Sequence, residues 1–169
     1  MKTALALYET DLVFEAPPRR GPRPKNCRAL PYVQLDQWPP GGMVEELVSQ
    51  CLGFPHVRAK QSRMASPDSR ALSLPDAFAA GPPSAFIDGH EFCHLHPPPE
   101  GSMHLTLPKD LRERAIHQGW VEQHPVARVG VMPETLVMVY APRNYDELEI
   151  VLKLVWASYQ FAAGLLSQE

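Results

Sequence analysis

The sequence has few of the features that would tie it to a membrane, a nucleic acid or a disulfide framework. Its three cysteines, Cys27, Cys51 and Cys93, are an odd set without a CxxC spacing, which disfavours a disulfide scaffold or a cysteine zinc site. The net charge of −3 lacks the basic excess of nucleic-acid-binding domains. No run approaches the roughly 18 apolar residues of a membrane span, and the first apolar run is too short for a signal peptide. We therefore expect a cytoplasmic protein without a nucleic-acid or membrane partner.

Proline is the residue that the chain has in excess, at 19 of 169 positions. This is roughly twice the usual share of about 5%. The densest run, residues 16–25, is also basic, which is typical of an extended linker or a solvated tail. We interpret residues 1–42 as a proline-rich irregular N-terminal arm and residues 43–169 as a single domain. The sequence does not indicate an oligomeric state.

Strand-like and helix-like patterns in the domain come in separate runs. The last predicted helix begins at Asn144, a residue type that caps helices well, and continues with a broad apolar stripe. Runs of strands with helices set apart indicate an α+β domain. We predict an antiparallel β-sheet with two or three helices packed on one side, including a long C-terminal helix. The predicted helices are 43–52, 108–118 and the helix from Asn144, and the predicted strands are 56–60, 70–74, 84–88, 91–96, 102–107 and 131–141.

Six of the seven histidines lie between positions 90 and 124, and this region is the most informative about function. The fourth and fifth predicted strands form a hairpin in which His94 lies opposite His104. Because strand side chains alternate between faces, Phe92, His94, His96 and His104 are expected on one face, with an apolar set on the other. Directly opposed Cβ atoms are roughly 4.5–5.5 Å apart, close enough for two imidazoles to share one ligand.

This histidine face permits three interpretations. Three neutral imidazoles could hold a divalent metal such as Zn, Fe, Ni or Cu, and Glu100 extends them to an HxHxxxE pattern similar to the first metal motif of cupins, although the second cupin motif is missing. A histidine of the face could instead act as an acid–base group near neutral pH. The third interpretation is a polar sheet face that binds nothing. The histidines outside this face and ahead of the HP motif, His56, His90 and His117, are expected at the surface.

Six short motifs follow one another between about residues 81 and 162. They are EFCHLH (91–96), SMHLTLP (102–108), GW (119–120), HP (124–125), YAPRN (140–144) and ASYQFA (157–162). In this order they resemble the luciferase domain of bioluminescent fungi and its bacterial relatives. The resemblance covers about half of the chain and leaves out the first forty residues.

The resemblance implies a particular chemistry. The fungal enzymes oxidise a 3-hydroxy-α-pyrone luciferin with dioxygen, through a peroxide-type intermediate and loss of carbon dioxide. A small-molecule substrate and dioxygen are thus the implied partners, and no flavin or nicotinamide is implied. The absence of dinucleotide-binding and P-loop motifs agrees with this. Light emission does not follow from the resemblance.

The candidate site residues follow from the histidine face and from the resemblance together. In an oxygenase, one of His94, His96 and His104 would be the catalytic base, and no cofactor would be needed. In a metal-dependent enzyme, the same three histidines would be the metal ligands. A non-catalytic module that binds a small ligand or a protein is the third hypothesis. The substrate-binding candidates are Phe92, Trp120, His124, Tyr140 and Arg143.

Overall fold

The computed structural model describes residues 15–167, which fold into one six-stranded sheet with four α-helices. The strands lie in the order β1-β2-β3-β4-β6-β5, and every neighbouring pair is antiparallel. The predicted α+β class, the antiparallel sheet and the long C-terminal helix are therefore confirmed. The elements are α1 Met43–Leu52, β1 Arg58–Gln61, β2 Arg70–Ser73, β3 Glu91–Leu95, β4 Met103–Thr106, α2 Lys109–His117, β5 Val121–Gln123, α3 Pro125–Arg128, β6 Leu136–Val139 and α4 Tyr145–Ala162.

One face of the sheet forms the hydrophobic core. Alternate residues of the central strands, such as Cys93, Leu105 and Val137, are fully buried and belong to one apolar cluster. Helices α1 and α4 pack against each other and against this sheet, and α2 packs beside β5. The predicted hairpin register is confirmed, because His94 pairs with His104. The core therefore leaves the histidines on the opposite face of the sheet.

Helix α4 begins where the sequence predicts. The backbone of Asn144 is extended, and its side chain accepts a hydrogen bond from the Glu147 amide at 3.0 Å. Asp146 and Glu147 place negative charge in the first turn, where the helix dipole favours it. The buried stripe of the helix includes Leu148 and Val155, and it joins the core. The Asn144 cap and the apolar stripe thus both stabilise α4.

Replacing Asn144 with alanine is expected to lower the free energy of unfolding by about 1 kcal/mol, because the Glu147 amide loses its side-chain acceptor. Urea denaturation followed by circular dichroism measures this. Asn144→Asp keeps the acceptor and should remain close to the wild type. Equal stabilities of the alanine variant and the wild type would contradict the capping role.

Several predicted elements differ from those observed. The expected strand at 84–88 does not form. Pro83–Ala85 is a 3₁₀ turn, whose first residue is a proline with a φ suited to a helical turn, and Asp88 makes only an isolated bridge to Glu91. The expected strand at 131–141 shrinks to Leu136–Val139. Strand β5 and helix α3 were not predicted, since three or four residues are too few to show a period.

The described part of the arm, residues 15–42, packs on the domain. It contains a single isolated bridge, between Asn26 and Gln34, and no helix or strand of its own. Arg19 and Gln34 are nonetheless almost completely buried. Most of residues 16–25, the run expected as an extended linker or a solvated tail, are exposed, but Ala16, Arg19 and Pro24 are buried. A proline-rich composition predicts extended backbone but not what that backbone packs against.

Within residues 15–167, no helix is long and apolar enough to cross a bilayer.

Candidate active site

Three buried histidines meet at the middle of the sheet. His94 from β3 lies opposite His104 from β4, and their ring centroids are 4.9 Å apart. His96, directly after β3, brings its ring centroid to 4.7 Å from that of His104. One nitrogen of each ring lies within 4.8 Å of a nitrogen of each other ring. The structure therefore brings together all three residues that were predicted from the sequence as catalytic or metal-binding.

A β-bulge in β3 changes which side chains share this face. Leu72 of β2 pairs with Cys93, but the next residue, Ser73, pairs with Glu91. Phe92 is thus an extra residue on β3, and the register shifts there. A bulge of this kind reverses the alternation of the residues that precede it.

The bulge places Glu91, rather than Phe92, beside the histidines. The Glu91 carboxylate lies 2.6 Å from His94 Nδ1 and accepts a hydrogen bond from Ser62 at 3.0 Å. Phe92 is fully buried in the core, with its ring centroid 6.2 Å from that of Tyr159. The expectation that Phe92 lies on the histidine face is therefore wrong, because strict alternation was assumed for a strand that contains a bulge.

The hydrogen bonds fix the tautomer of His104 and the donor atom of His94. His104 Nε2 donates to the Tyr32 carbonyl at 2.9 Å, so its other nitrogen, Nδ1, can only accept when the ring is neutral. Burial and then the charges of neighbouring histidines hold the pKa of His104 well below its usual value, so the ring is neutral. His94 Nε2, 3.0 Å away, must then be the donor to it. The other nitrogen of His94, Nδ1, lies 2.6 Å from the Glu91 carboxylate, so one proton is shared between these two groups.

His96 has a different arrangement. Its Nδ1 donates to the Glu100 carboxylate at 2.7 Å and lies 3.1 Å from the Ser102 hydroxyl, which itself donates to Glu100. In the neutral ring, this leaves the lone pair on Nε2. A carboxylate that holds a histidine through Nδ1 is how hydrolase triads orient their general base. The HxHxxxE spacing was the sequence signal for Glu100, whereas strict alternation from His94 puts Glu91, the first residue of the EFCHLH motif, on the other face.

His124 completes the cluster from the start of α3. Its Nδ1 accepts a hydrogen bond from the Val126 amide at 3.3 Å, and its ring centroid lies 4.4 Å from that of His104. Burial and then the charges of His94 and His96 lower the pKa of His124 to about 4. The sequence prediction that His124 joins the site is consistent with this position, and the ring is neutral.

The stability of the protein is expected to fall as the pH drops from the ordinary histidine pKa of 6.5 to about 4. In this window the unfolded chain binds a proton at His124 that the folded protein does not, so acid favours unfolding. His104, whose pKa is also lowered, acts in the same direction. Urea denaturation at about pH 7 and about pH 5 measures the difference.

The matched variant for this test is His124→Asn, because asparagine can still cap α3 but does not titrate. Its stability should depend less steeply on pH than that of the wild type. Identical pH dependences would show that His124 does not titrate as described.

A cavity of about 810 Å³ lies over the histidine cluster. Its floor contains His94, His96, His104 and His124. A volume in this range is typical of small-molecule sites, which are mostly apolar with a few converging polar groups. The apolar walls come from the arm, the loop after β1, the hairpin turn and the segment around α3: Leu30, Pro31, Val33, Met64, Ala65, Pro97, Pro98, Pro99, Val126, Met132 and Leu136.

The other substrate-binding candidates lie away from this cavity. Trp120 is buried, and its indole N–H donates to the Pro17 carbonyl at 2.8 Å. The Tyr140 hydroxyl donates to a carboxylate on β5, and the Arg143 guanidinium donates to the Arg20 carbonyl at 2.7 Å. None of the three lines the cavity over the histidines, and their role in substrate binding stays a prediction. They lie towards the β6–β5 edge of the sheet, and the sequence did not predict the strand that forms this edge.

The histidines outside the cluster also lie outside the cavity. His56 and His117 are exposed, in agreement with the sequence prediction. His90 is half-buried, and its Nδ1 lies 3.1 Å from the Asp76 carboxylate.

The fold and the site together define an α+β domain with a buried histidine cluster beneath an apolar cavity. Residues 89–158, which include β3, β4, β6 and most of α4, match the family model of the luciferase domain. This match supports the assignment of these residues to the luciferase-domain family. No solved structure matches the chain.

Curated fungal proteins support this assignment. The chain is 28% identical to a luciferase of Armillaria gallica and 27% identical to one of Armillaria ostoyae, each over 85% of the chain. It is 34% identical to a luciferase of Neonothopanus nambi over 40% of the chain and 26% of that protein. The chain spans about 60% of the length of the two Armillaria proteins.

Proposed function

We propose that this protein is a luciferase-like small-molecule oxygenase, which joins dioxygen to an enol, a phenol or a hydroxypyrone bound in the cavity. The observation that carries the proposal is the state of His96. Its Nδ1 is held by Glu100, which leaves the Nε2 lone pair for a proton acceptor at the floor of an apolar cavity. The family assignment supports the same reaction class.

The first step would be proton transfer from the substrate hydroxyl to His96 Nε2. The resulting enolate is more electron-rich than the enol and would lie beside His94, which would stabilise it as a hydrogen-bond donor held by Glu91. The mostly apolar walls exclude water, and this strengthens the electrostatic attraction. His96 thus acts as a general base, and His94 acts as an electrostatic stabiliser.

The second step would be addition of dioxygen to the ring carbon of the enolate. Two electrons from the enolate form the carbon–oxygen bond and reduce dioxygen to the peroxide level, and the proton returns from His96. With a hydroxypyrone, attack of the peroxide on the ring ester followed by loss of carbon dioxide would complete the reaction. No external reductant is needed, because the substrate supplies the electrons. Light emission is not part of the proposal.

Oxygen uptake with 3-hydroxy-2-pyrone tests the proposal. The matched control is its 3-O-methyl ether, which has the same ring but no acidic hydroxyl. We expect enzyme-dependent oxygen consumption with the first compound and none with the second. Consumption with neither compound, nor with a panel of other enols and phenols, would overturn the proposal.

A metal-dependent enzyme is the second candidate, and one observation favours it. The three nitrogens that face one another belong to His94, His96 and His104, and each ring is held from its other nitrogen by Glu91, Glu100 or the Tyr32 carbonyl. Metal-binding histidines are usually supported in this way. His94, His96 and His104 would hold a Zn, Fe, Ni or Cu ion, which could activate water or dioxygen.

Elemental mass spectrometry separates the two candidates. If the metal-dependent function is correct, the purified protein should hold near-stoichiometric metal, and His94→Ala/His104→Ala should lose it. The control is His56→Ala/His117→Ala, which removes two exposed histidines and should keep the metal. Oxygen uptake by metal-free protein would instead support the cofactor-free reaction. A binding module without catalysis would show neither metal nor uptake.

The proposed partners are the small-molecule substrate and dioxygen, and the proposed compartment is the cytoplasm. All three cysteines are unpaired, which fits a reducing compartment. Burial raises the pKa of the Cys51 and Cys93 thiols, so neither is a reactive thiolate at neutral pH.

A further inference from the structure

We infer that the arm orients the histidines of the active site and forms part of the cavity wall. We also infer that Trp120, Tyr140 and Arg143 are positioning residues that hold the arm in place. Its effect on catalysis rests on the proposed function, whereas its effect on the histidine rings does not. The residues of the luciferase-type motifs would then fall into two groups with different roles. The HxH, His104 and His124 positions form the floor of the cavity, and the remaining motif residues fix its roof.

The arm makes direct backbone contacts with the histidine cluster. The Tyr32 carbonyl accepts the hydrogen bond from His104 Nε2 at 2.9 Å. The Gln34 amide donates to Glu100 at 2.7 Å, and Glu100 in turn holds His96. The orientations of the His104 and His96 rings thus depend on arm residues 32–34.

The arm also provides cavity walls and a ring contact. Leu30, Pro31 and Val33 line the cavity. The Tyr32 ring meets His124 edge-on, with centroids 5.2 Å apart. Removing the arm would therefore open the cavity to water on the side where the substrate ring is expected to lie.

Residues of the family motifs hold this arm at several points. The Trp120 indole donates to the Pro17 carbonyl at 2.8 Å. Arg143 donates to the Arg20 carbonyl at 2.7 Å and is held by hydrogen bonds to Glu147. None of these contacts involves the cavity, so a function in the site has to act through the arm.

Tyr140 acts through a shared carboxylate on β5. Glu122 accepts a hydrogen bond from the Tyr140 hydroxyl at 2.8 Å. It also accepts hydrogen bonds from two side chains of the arm, the Tyr32 hydroxyl and the Asn26 side-chain NH₂ group. Burial, with the nearby Glu122 charge, raises the pKa of both tyrosines, so both hydroxyls remain donors at neutral pH. This carboxylate joins the arm to the sheet next to the cluster.

The buried side chain of Gln34 fixes the arm from its centre. Its oxygen accepts a hydrogen bond from the Ala141 amide at 3.0 Å, and its NH₂ group donates to the Asp36 and Gln37 carbonyls. Ala141 lies in the YAPRN motif, between Tyr140 and Arg143. Arg143 of the same motif contacts the arm before residues 32–34, at the Arg20 carbonyl, and after them, at the Gln37 side chain.

The predicted consequence concerns the tautomer of His104. Without the Tyr32 carbonyl, the Nε2 proton of His104 has no acceptor among its present partners, and the proton can move to Nδ1. His94 would then face a donor where it now has an acceptor. Loosening the arm should therefore mix the tautomers of His104 and lower the fraction of protein in the active arrangement.

The test compares Arg143→Ala and Gln34→Ala with the exposed controls Arg58→Ala and Leu35→Ala. Two-bond ¹H–¹⁵N spectra of the histidine rings report the tautomer of His104 without reference to activity. We expect one tautomer in the wild type and the controls, and two in both test variants. With a turned-over substrate, kcat should fall on the order of tenfold in the test variants and stay unchanged in the controls.

A single His104 tautomer in both test variants would overturn the inference. If Arg143→Ala does not fold, Arg143→Lys decides, because lysine keeps the charge near Glu147 but lacks the fork that also reaches the arm. A wild-type protein that consumes no oxygen would refute the proposed function alone, and the tautomer result would still decide the role of the arm.

Discussion

Replacement of His96 with alanine is expected to lower kcat for oxygen consumption by about 10²–10⁴-fold, the usual contribution of a general base. His96 is the ring in the cluster with an unengaged lone pair at the cavity floor, since both nitrogens of His94 and of His104 are already hydrogen-bonded. KM should change less than kcat, because the mostly apolar walls of the cavity, which bind the substrate ring, remain in place.

Two further variants sharpen this prediction. Glu100→Gln can still accept a hydrogen bond from His96 but no longer stabilises the imidazolium that forms, so its loss of kcat should be smaller than that of His96→Ala. His117→Ala removes an exposed histidine and should keep the wild-type rate. Initial rates from an oxygen electrode measure all three. An unchanged kcat in His96→Ala would contradict the assignment of the base.

Replacement of Glu91 with glutamine is expected to lower the free energy of unfolding by about 1.5–3 kcal/mol, the usual value of a hydrogen bond to a charged group. Both members of the pair are buried, and they lie 2.6 Å apart. Glutamine fills the same space but carries no charge, so His94 Nδ1 loses its carboxylate partner.

A double-mutant cycle over Glu91→Gln and His94→Gln isolates the interaction. We expect a coupling of at least about 1 kcal/mol between the two positions, together with a loss of kcat in each single variant. Glu113→Gln, at an exposed position of α2, provides the control for the loss of one negative charge. Additive stabilities in the cycle would contradict a buried hydrogen bond between the two side chains.

The sequence predicted the centre of the site well because its geometry is local. His94 and His104 lie opposite each other because the five-residue connection Pro97–Gly101 closes the hairpin symmetrically. Gly101 makes this turn feasible, since its φ is +68° and a Cβ there would lie 2.6 Å from a Val44 methyl group. The alternation of side chains along a strand and the length of the turn were together sufficient to place the rings of His94 and His104.

The rest of the site depends on features that leave little trace in the sequence. The bulge at Phe92 places Glu91, instead of Phe92, on the histidine face of the sheet. Neither residue type predicts a bulge. The arm reaches the cluster through the backbone of Tyr32 and Gln34, and backbone contacts have no residue signature. Strand β5 is three residues long, so the edge that holds Trp120 and Tyr140 could not be located.

The most direct test of the account is to add 3-hydroxy-2-pyrone to the protein without oxygen and to observe the histidine rings by ¹⁵N NMR. The account predicts that His96 Nε2 becomes protonated as the substrate binds, while His104 keeps its Nε2 proton on the Tyr32 carbonyl. Saturable binding that leaves His96 Nε2 unprotonated, or no binding at all, would contradict the claim that this cluster deprotonates an enol in the cavity above it.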